Sequence, residues 1–176
     1  MRRPASLRNA CLVSVLALGV ASFVPADANQ DTTMAGDWLE FHGSWSASGR
    51  RQSVATEGGG VATTITISGA VVLTAGEGLA RGYSAEAIGF DDGHGTSVGR
   101  CVWTDDKGDR IFSSLKGEQV QTGKRAIGTI TGGTGRYVGI EGEYSLTWQF
   151  VVPAEDDVIQ GRTVSLAGRV RRAGEP

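Results

Sequence analysis

Apolar and polar residues alternate along most of the chain after residue 36, and a helical period is hard to find there. Short segments rich in Val, Ile, Thr, Tyr and Trp are separated by clusters that contain glycine. Because side chains of a strand point to opposite faces in turn, this alternation predicts strands. The predicted strands cover residues 37–47, 61–74, 80–90, 96–104, 109–118, 124–131, 138–152 and 158–171, and residues 50–57 could add a short extra strand.

The glycine clusters between these segments are typical of tight turns. Glycine next to aspartate, as at residues 91–95 and 105–109, supplies the positive φ and the side-chain hydrogen bonds that such turns need. Strands joined by short turns predict an antiparallel meander. About eight strands in one meander leave two unpaired edges unless the sheet closes, so we expect an all-β, eight-stranded barrel. A sandwich of two sheets is the alternative.

The first residues form a separate pattern. Arg2, Arg3 and Arg8 precede an apolar run over residues 11–24, and small residues follow at positions 26 and 28. A positive start, an apolar run and a small-residue cleavage site are typical of a secretory signal peptide. The run is shorter than the roughly 20 residues that span a bilayer, so we expect export to the periplasm or the medium without stable membrane insertion.

The sequence therefore predicts a signal peptide at 1–28, a flexible segment at 29–36, one barrel domain at 37–172 and a tail at 173–176. The chain has 17 Lys and Arg against 19 Asp and Glu, and this balance argues against a nucleic-acid partner. Apolar residues make up 40% of the chain, which is enough for a core.

One segment resembles a known family. Residues 128–144, GTITGGTGRYVGIEGEY, resemble the strand, Gly-Gly-Ser/Thr-Gly, aromatic, strand signature of allene oxide cyclases, dirigent proteins and bacterial barrel-like relatives. The hairpin at 100–112 is similar to the strands that precede this signature, and the resemblance covers about residues 80–152. It implies a calycin-like barrel with an apolar lumen, often trimeric in the plant members. Sterically, the glycines permit a sharp turn with positive φ, after which Tyr137 can fold over the barrel end.

Glu40 and His42 are candidate catalytic residues. In the plant cyclases a carboxylate on the first strand assists ring closure, and the resemblance places Glu40 and His42 in a roughly corresponding position. A period of two puts both on one face, where they could form an acid/base pair in the lumen. The alternative is an exterior face opposite buried Leu39 and Phe41.

Further candidates lie on the later strands. Glu86 is a third catalytic candidate, and it could meet Arg100 of the next strand inside the barrel. The alternatives to a catalytic role are a structural ion pair between these two residues or simple exposure of both at the surface. The alternation does not determine which face looks inward. The candidate ligand contacts are Arg100, Trp103, Tyr137 and Trp148.

Neither a metal nor a cofactor is predicted. Removal of the leader leaves Cys101 as the single cysteine, so no internal disulfide is possible. Cys101 as a nucleophile would need a nearby base, and a buried, inert thiol is the simpler interpretation. The two histidines, Cys101 and the scattered carboxylates do not match zinc spacing, and the Asp-rich turns lack the spacing of an EF-hand.

The interpretation we favour is an exported barrel that binds a small apolar molecule, lipid-like or terpenoid, in its lumen. An isomerase of the cyclase type or a dirigent-type enzyme, and a structural or interaction module, are the alternatives. A homo-oligomer, a trimer by the resemblance, fits each of them. A lumen cavity of roughly a few hundred Å³ would separate the ligand hypotheses from a solid barrel.

Overall fold

The structure is a computed structural model that describes residues 37–117, 125–152 and 157–173. The predicted signal peptide and the segment at 29–36 lie outside the described residues, as does the tail after residue 173. Nearly all of the described chain is strand, as predicted. The strands are β1 (Leu39–Ala55), β2 (Val61–Gly76), β3 (Gly82–Asp91), β4 (Ser97–Thr104), β5 (Arg110–Gly117), β6 (Arg125–Gly133), β7 (Ile140–Val152) and β8 (Val158–Arg172), with 3₁₀ turns at Glu57–Gly59 and Gly135–Tyr137.

The eight strands form a closed antiparallel barrel in which each strand pairs with its neighbours in sequence. Closure is made by β1, where Ala47 lies opposite Gly69 of β2 on one side and Gly161 of β8 on the other. The predicted barrel is confirmed, and the two-sheet sandwich is excluded. The extra strand expected at 50–57 is instead the continuation of β1 as far as Ala55.

Aromatic side chains and glycines are paired on the inner face. A Cβ atom on Gly128 would overlap the ring of Tyr144. A Cβ atom on Gly161 would lie 2.5 Å from the ring of Trp148. Large rings therefore lie directly over glycines of the adjacent strand, because a small barrel has little room for side chains from every strand at one level.

The loop between β6 and β7 closes one end of the barrel, which we call the Tyr137 end. Gly132 and Gly135 have φ of +144° and +53°, which glycine adopts readily. The turn carries Tyr137 inward, where it is 2% exposed. The hydroxyl groups of Tyr137 and Tyr83 are hydrogen-bonded at 3.0 Å. The expectation that Tyr137 folds over the barrel end is confirmed.

An ion pair fixes this loop to the β4–β5 turn. The side chain of Asp105 is fully buried, and the guanidinium of Arg136 donates to Oδ2 through Nε at 2.8 Å and through Nη2. Oδ1 accepts the backbone N–H groups of Lys107 and Asp109. Burial alone would raise the pKa of this carboxyl, but the hydrogen bonds from Lys107 and Arg136 outweigh it and hold the pKa below its usual value.

Candidate functional site

A cavity lies in the lumen at the end opposite Tyr137, which we call the Gly89 end. Its volume is about 120 Å³. Among the described residues its wall is almost entirely apolar, and each strand contributes to it. The larger inward side chains of the wall are Trp45, Ile65, Ile67, Leu115, Leu146, Trp148 and Ile159.

Small residues at inward positions leave this space open. Gly89 of β3 lies opposite Gly99 of β4, and Gly99 lies opposite Leu115 of β5. Two alanines, Ala87 and Ala126, complete this side of the wall. A Cβ atom on Gly89 would have one neighbour, the carbonyl oxygen of Val98 at 3.4 Å, so the space beside it is free. The cavity therefore exists because neighbouring strands carry glycine or alanine, and no large side chain, at these inward positions.

Two tryptophans form the opposite side of the cavity. The rings of Trp45 and Trp148 meet edge to face, with centroids 5.6 Å apart and an interplanar angle of 69°. The backbone N–H of Trp45 donates to Oγ1 of buried Thr163 on β8 at 2.8 Å. Edge-to-face contact and this hydrogen bond hold the Trp45 residue in place against β8. The two indole rings offer an apolar surface to a small molecule.

The rest of the lumen is filled by an aromatic cluster, which consists of Phe41, Tyr83, Trp103, Tyr137 and Tyr144. Its ring centroids are 5.0 to 6.5 Å apart. The Tyr144 hydroxyl is hydrogen-bonded to Oγ of Ser113 at 2.8 Å. Burial raises the pKa of Tyr83, Tyr137 and Tyr144, so these phenols stay protonated near neutral pH. A ligand can therefore enter only the Gly89 half of the lumen without displacing this cluster.

The predicted catalytic residues lie on the outer face of the barrel. Glu40 and His42 are exposed, while Phe41 between them is fully buried. Glu86 is also exposed, between the buried Ala85 and Ala87. The interpretation of Glu40 and His42 as an acid/base pair in the lumen is thus corrected. Phe41 and Trp45 occupy inward positions of β1, so Glu40 and His42, which lie on either side of Phe41, point outward.

The four predicted ligand contacts separate into three groups. Trp148 lines the cavity. Trp103 and Tyr137 point into the lumen but are packed inside the aromatic cluster. Arg100 is exposed on the outer face, where it lies opposite Ile88 and not Glu86, so the two charges do not meet inside the barrel.

Comparison with family models, with curated proteins and with solved structures finds no match to this chain. The resemblance of residues 128–144 to allene oxide cyclases and dirigent proteins therefore stays a prediction from the motif.

Cys101 is a buried thiol in the lumen wall between the cavity and the aromatic cluster. It is 1% exposed. Burial raises its pKa to about 11, although the side chains of Trp103, Tyr144 and Ser113 act in the opposite direction. A thiol of this kind is a poor nucleophile, which agrees with the inert interpretation.

No group of three or more His, Cys, Asp and Glu side chains in the described ranges is placed to hold a metal ion. No helix within them is long and apolar enough to cross a membrane.

Proposed function

We propose that the barrel binds a small apolar molecule in the cavity at the Gly89 end. The observation that carries this proposal is a wall of aliphatic side chains and two tryptophans around a cavity of about 120 Å³. An apolar cavity of roughly 150 Å³ in another protein stays dry and binds benzene. Burial of an apolar ligand in such a space is favourable by about 25 cal/mol per Å².

The volume restricts the ligand. Pockets for drug-sized molecules occupy about 300–1,000 Å³. The cavity found here is smaller than the few hundred Å³ that the sequence interpretation required, because the aromatic cluster fills the Tyr137 half of the lumen. We therefore propose a smaller ligand, which is a compound with a single ring, or a terminal group of that size, in place of a large lipid or terpenoid.

Binding is favoured over catalysis by the positions of the charged candidates. Glu40, His42 and Glu86 are on the outer face, so they do not reach a ligand in the lumen. A purely structural role is disfavoured because a barrel that needs only a packed interior gains stability by filling such a space. Export remains part of the proposal, since the leader that predicts it lies outside the described residues.

Titration with toluene tests the proposal. At ten times its Kd, a ligand that binds only the folded state adds about 1.4 kcal/mol, which raises the melting temperature by about 3–6 °C at this chain length. Gly89→Val puts three carbon atoms into the cavity and should remove the effect. The matched control is Gly82→Val, since Gly82 is an exposed residue of the same strand with open space around it. A melting temperature of the wild-type protein that does not respond to toluene would refute the proposal.

A further inference from the structure

The outer face of β3 and β4 carries large apolar side chains that lie next to one another. Ile88 and Phe90 of β3 are 60% and 47% exposed, and Val98 of β4, opposite Phe90, is 45% exposed. On β2, the residues opposite Phe90 and Ile88 are Thr64 and Thr66, so the apolar surface ends at that strand. Single exposed apolar residues are common on soluble proteins, but adjacent ones mark an interaction surface. We call this surface the β3–β4 patch, and its apolar members are Ile88, Phe90, Val98 and the half-buried Val102.

Two opposite charges lie within the β3–β4 patch. Glu86 is opposite Val102, and Arg100 is opposite Ile88, so the two charged residues are diagonal neighbours on the outer face. They do not pair with each other, and neither forms an ion pair with another described residue. The Arg100 guanidinium donates to the backbone carbonyl of Gly99 at 3.2 Å. Each charge is therefore available to a partner that brings the opposite charge to the same place.

A second copy of the chain is the partner that fits these features. The barrel is closed, so two copies cannot join strand edge to strand edge. A second β3–β4 patch supplies apolar side chains that cover Ile88 and Phe90, and it carries both charges. A twofold axis between the copies repeats every contact, so Arg100 of each copy can lie against Glu86 of the other. A negatively charged partner, such as a nucleic acid or an anionic lipid surface, would instead be repelled by Glu86.

We propose that two copies of this chain form a twofold dimer through their β3–β4 patches, with Arg100 of each copy paired to Glu86 of the other. The apolar side chains provide the affinity, and the two charge pairs fix the orientation of the copies. The dimer does not depend on a ligand in the cavity, because Glu86 and Arg100 point outward from the barrel. It gives a role to two charged residues that the lumen leaves unused.

Sedimentation equilibrium over a range of protein concentrations tests the dimer. The wild-type protein should approach twice the mass of one chain. Arg100→Glu or Glu86→Arg places two pairs of like charges together, so each should raise the dissociation constant of the dimer at least about tenfold. The double variant exchanges the charges and should return this constant to within about threefold of the wild-type value. The matched control is Arg162→Glu, the same charge change at an exposed position of β8, which should leave the constant unchanged.

A second measurement uses the wild-type protein alone and does not depend on how the variants fold. In ¹H–¹⁵N correlation spectra, the amide signals of Ile88, Phe90 and Val98 should shift when the protein is diluted, while that of Arg162 should not. A wild-type protein that stays a single chain at the highest concentration, or that reaches the mass of three chains, would overturn the proposal. Single and double variants that dissociate equally, or shifts confined to another face, would do the same. Failure to bind toluene would refute the proposed function and leave the dimer standing.

Discussion

Replacement of Asp105 by asparagine tests how the Tyr137 end is held closed. The buried carboxylate accepts two backbone N–H groups on Oδ1 and the Arg136 guanidinium on Oδ2. Asparagine preserves the size of the side chain and one oxygen acceptor. It removes the charge and places an amide NH₂ against the guanidinium, so Arg136 loses its acceptor. We expect the barrel to fold with a lower free energy of unfolding.

The magnitude follows from the contacts that are lost. A hydrogen bond to a charged group contributes about 1.5–3 kcal/mol. The Arg136 side chain is 35% exposed, so water replaces part of what it loses, and we expect a total loss of about 2–3 kcal/mol. The pKa of Asp105 is lowered in the folded state from 3.8. Its contribution is therefore complete above that value and is lost as the pH falls through the lower, folded-state pKa.

Urea unfolding followed by tryptophan fluorescence measures this loss. With a slope of about 1–3 kcal/mol per molar urea, the midpoint of Asp105→Asn should be lower by about 1 M or more at pH 7. Asp106→Asn is the matched control, because Asp106 lies 3.8 Å from the same guanidinium with 82% of its side chain exposed. Equal midpoints for the two variants at pH 7 would refute the reasoning. If the difference between the midpoints of the two variants does not become smaller near pH 2.5, the charge of Asp105 is not its cause.

Three further predictions concern the inner face. Gly128→Ala should lower the stability by about 2–3 kcal/mol in thermal unfolding, because its Cβ overlaps the Tyr144 ring, whereas Gly82→Ala should cause no loss. Ser113→Ala should lower it by about 1–3 kcal/mol because the buried Tyr144 hydroxyl loses its partner, and an unchanged melting temperature would contradict this. Cys101 should resist iodoacetamide at pH 8 in the folded protein and react once urea unfolds the protein, and peptide mass spectrometry measures both reactions. Rapid reaction of the folded protein would contradict the burial of Cys101 and its pKa of about 11.

The strands were predictable because each depends on a local signal. Alternation with a period of two and glycine-bearing turns located all eight strands, and their number predicted closure. The β3–β4 hairpin illustrates this, since its strands were expected at 80–90 and 96–104 and are found at Gly82–Asp91 and Ser97–Thr104. The pattern at residues 50–57 predicts extended backbone, which is found as far as Ala55, but it does not show that these residues continue β1. The length of one strand depends on pairing with two neighbours, which a local pattern does not contain.

The inward face was not predictable from hydrophobicity, and β3 shows why. Its larger apolar residues, Ile88 and Phe90, are 60% and 47% exposed, while the inward positions include the small Ala87 and Gly89. A closed barrel limits the volume inside, and rings from other strands fill much of it. At the Gly89 end, the inward positions of β3 are therefore occupied by small residues, and its large apolar side chains lie on the outer face. Small residues at alternate positions of adjacent strands were the signal that could have located the cavity.

The central claim is that the Gly89 end of the lumen holds an apolar cavity inside a closed barrel. Diffraction from crystals pressurised with xenon tests it most directly, because xenon binds dry apolar cavities without needing a hydrogen bond. We predict a xenon peak between Trp45, Trp148 and Leu115, and its loss in Gly89→Val crystals. Wild-type crystals without a peak, with side chains filling that space, would contradict the account.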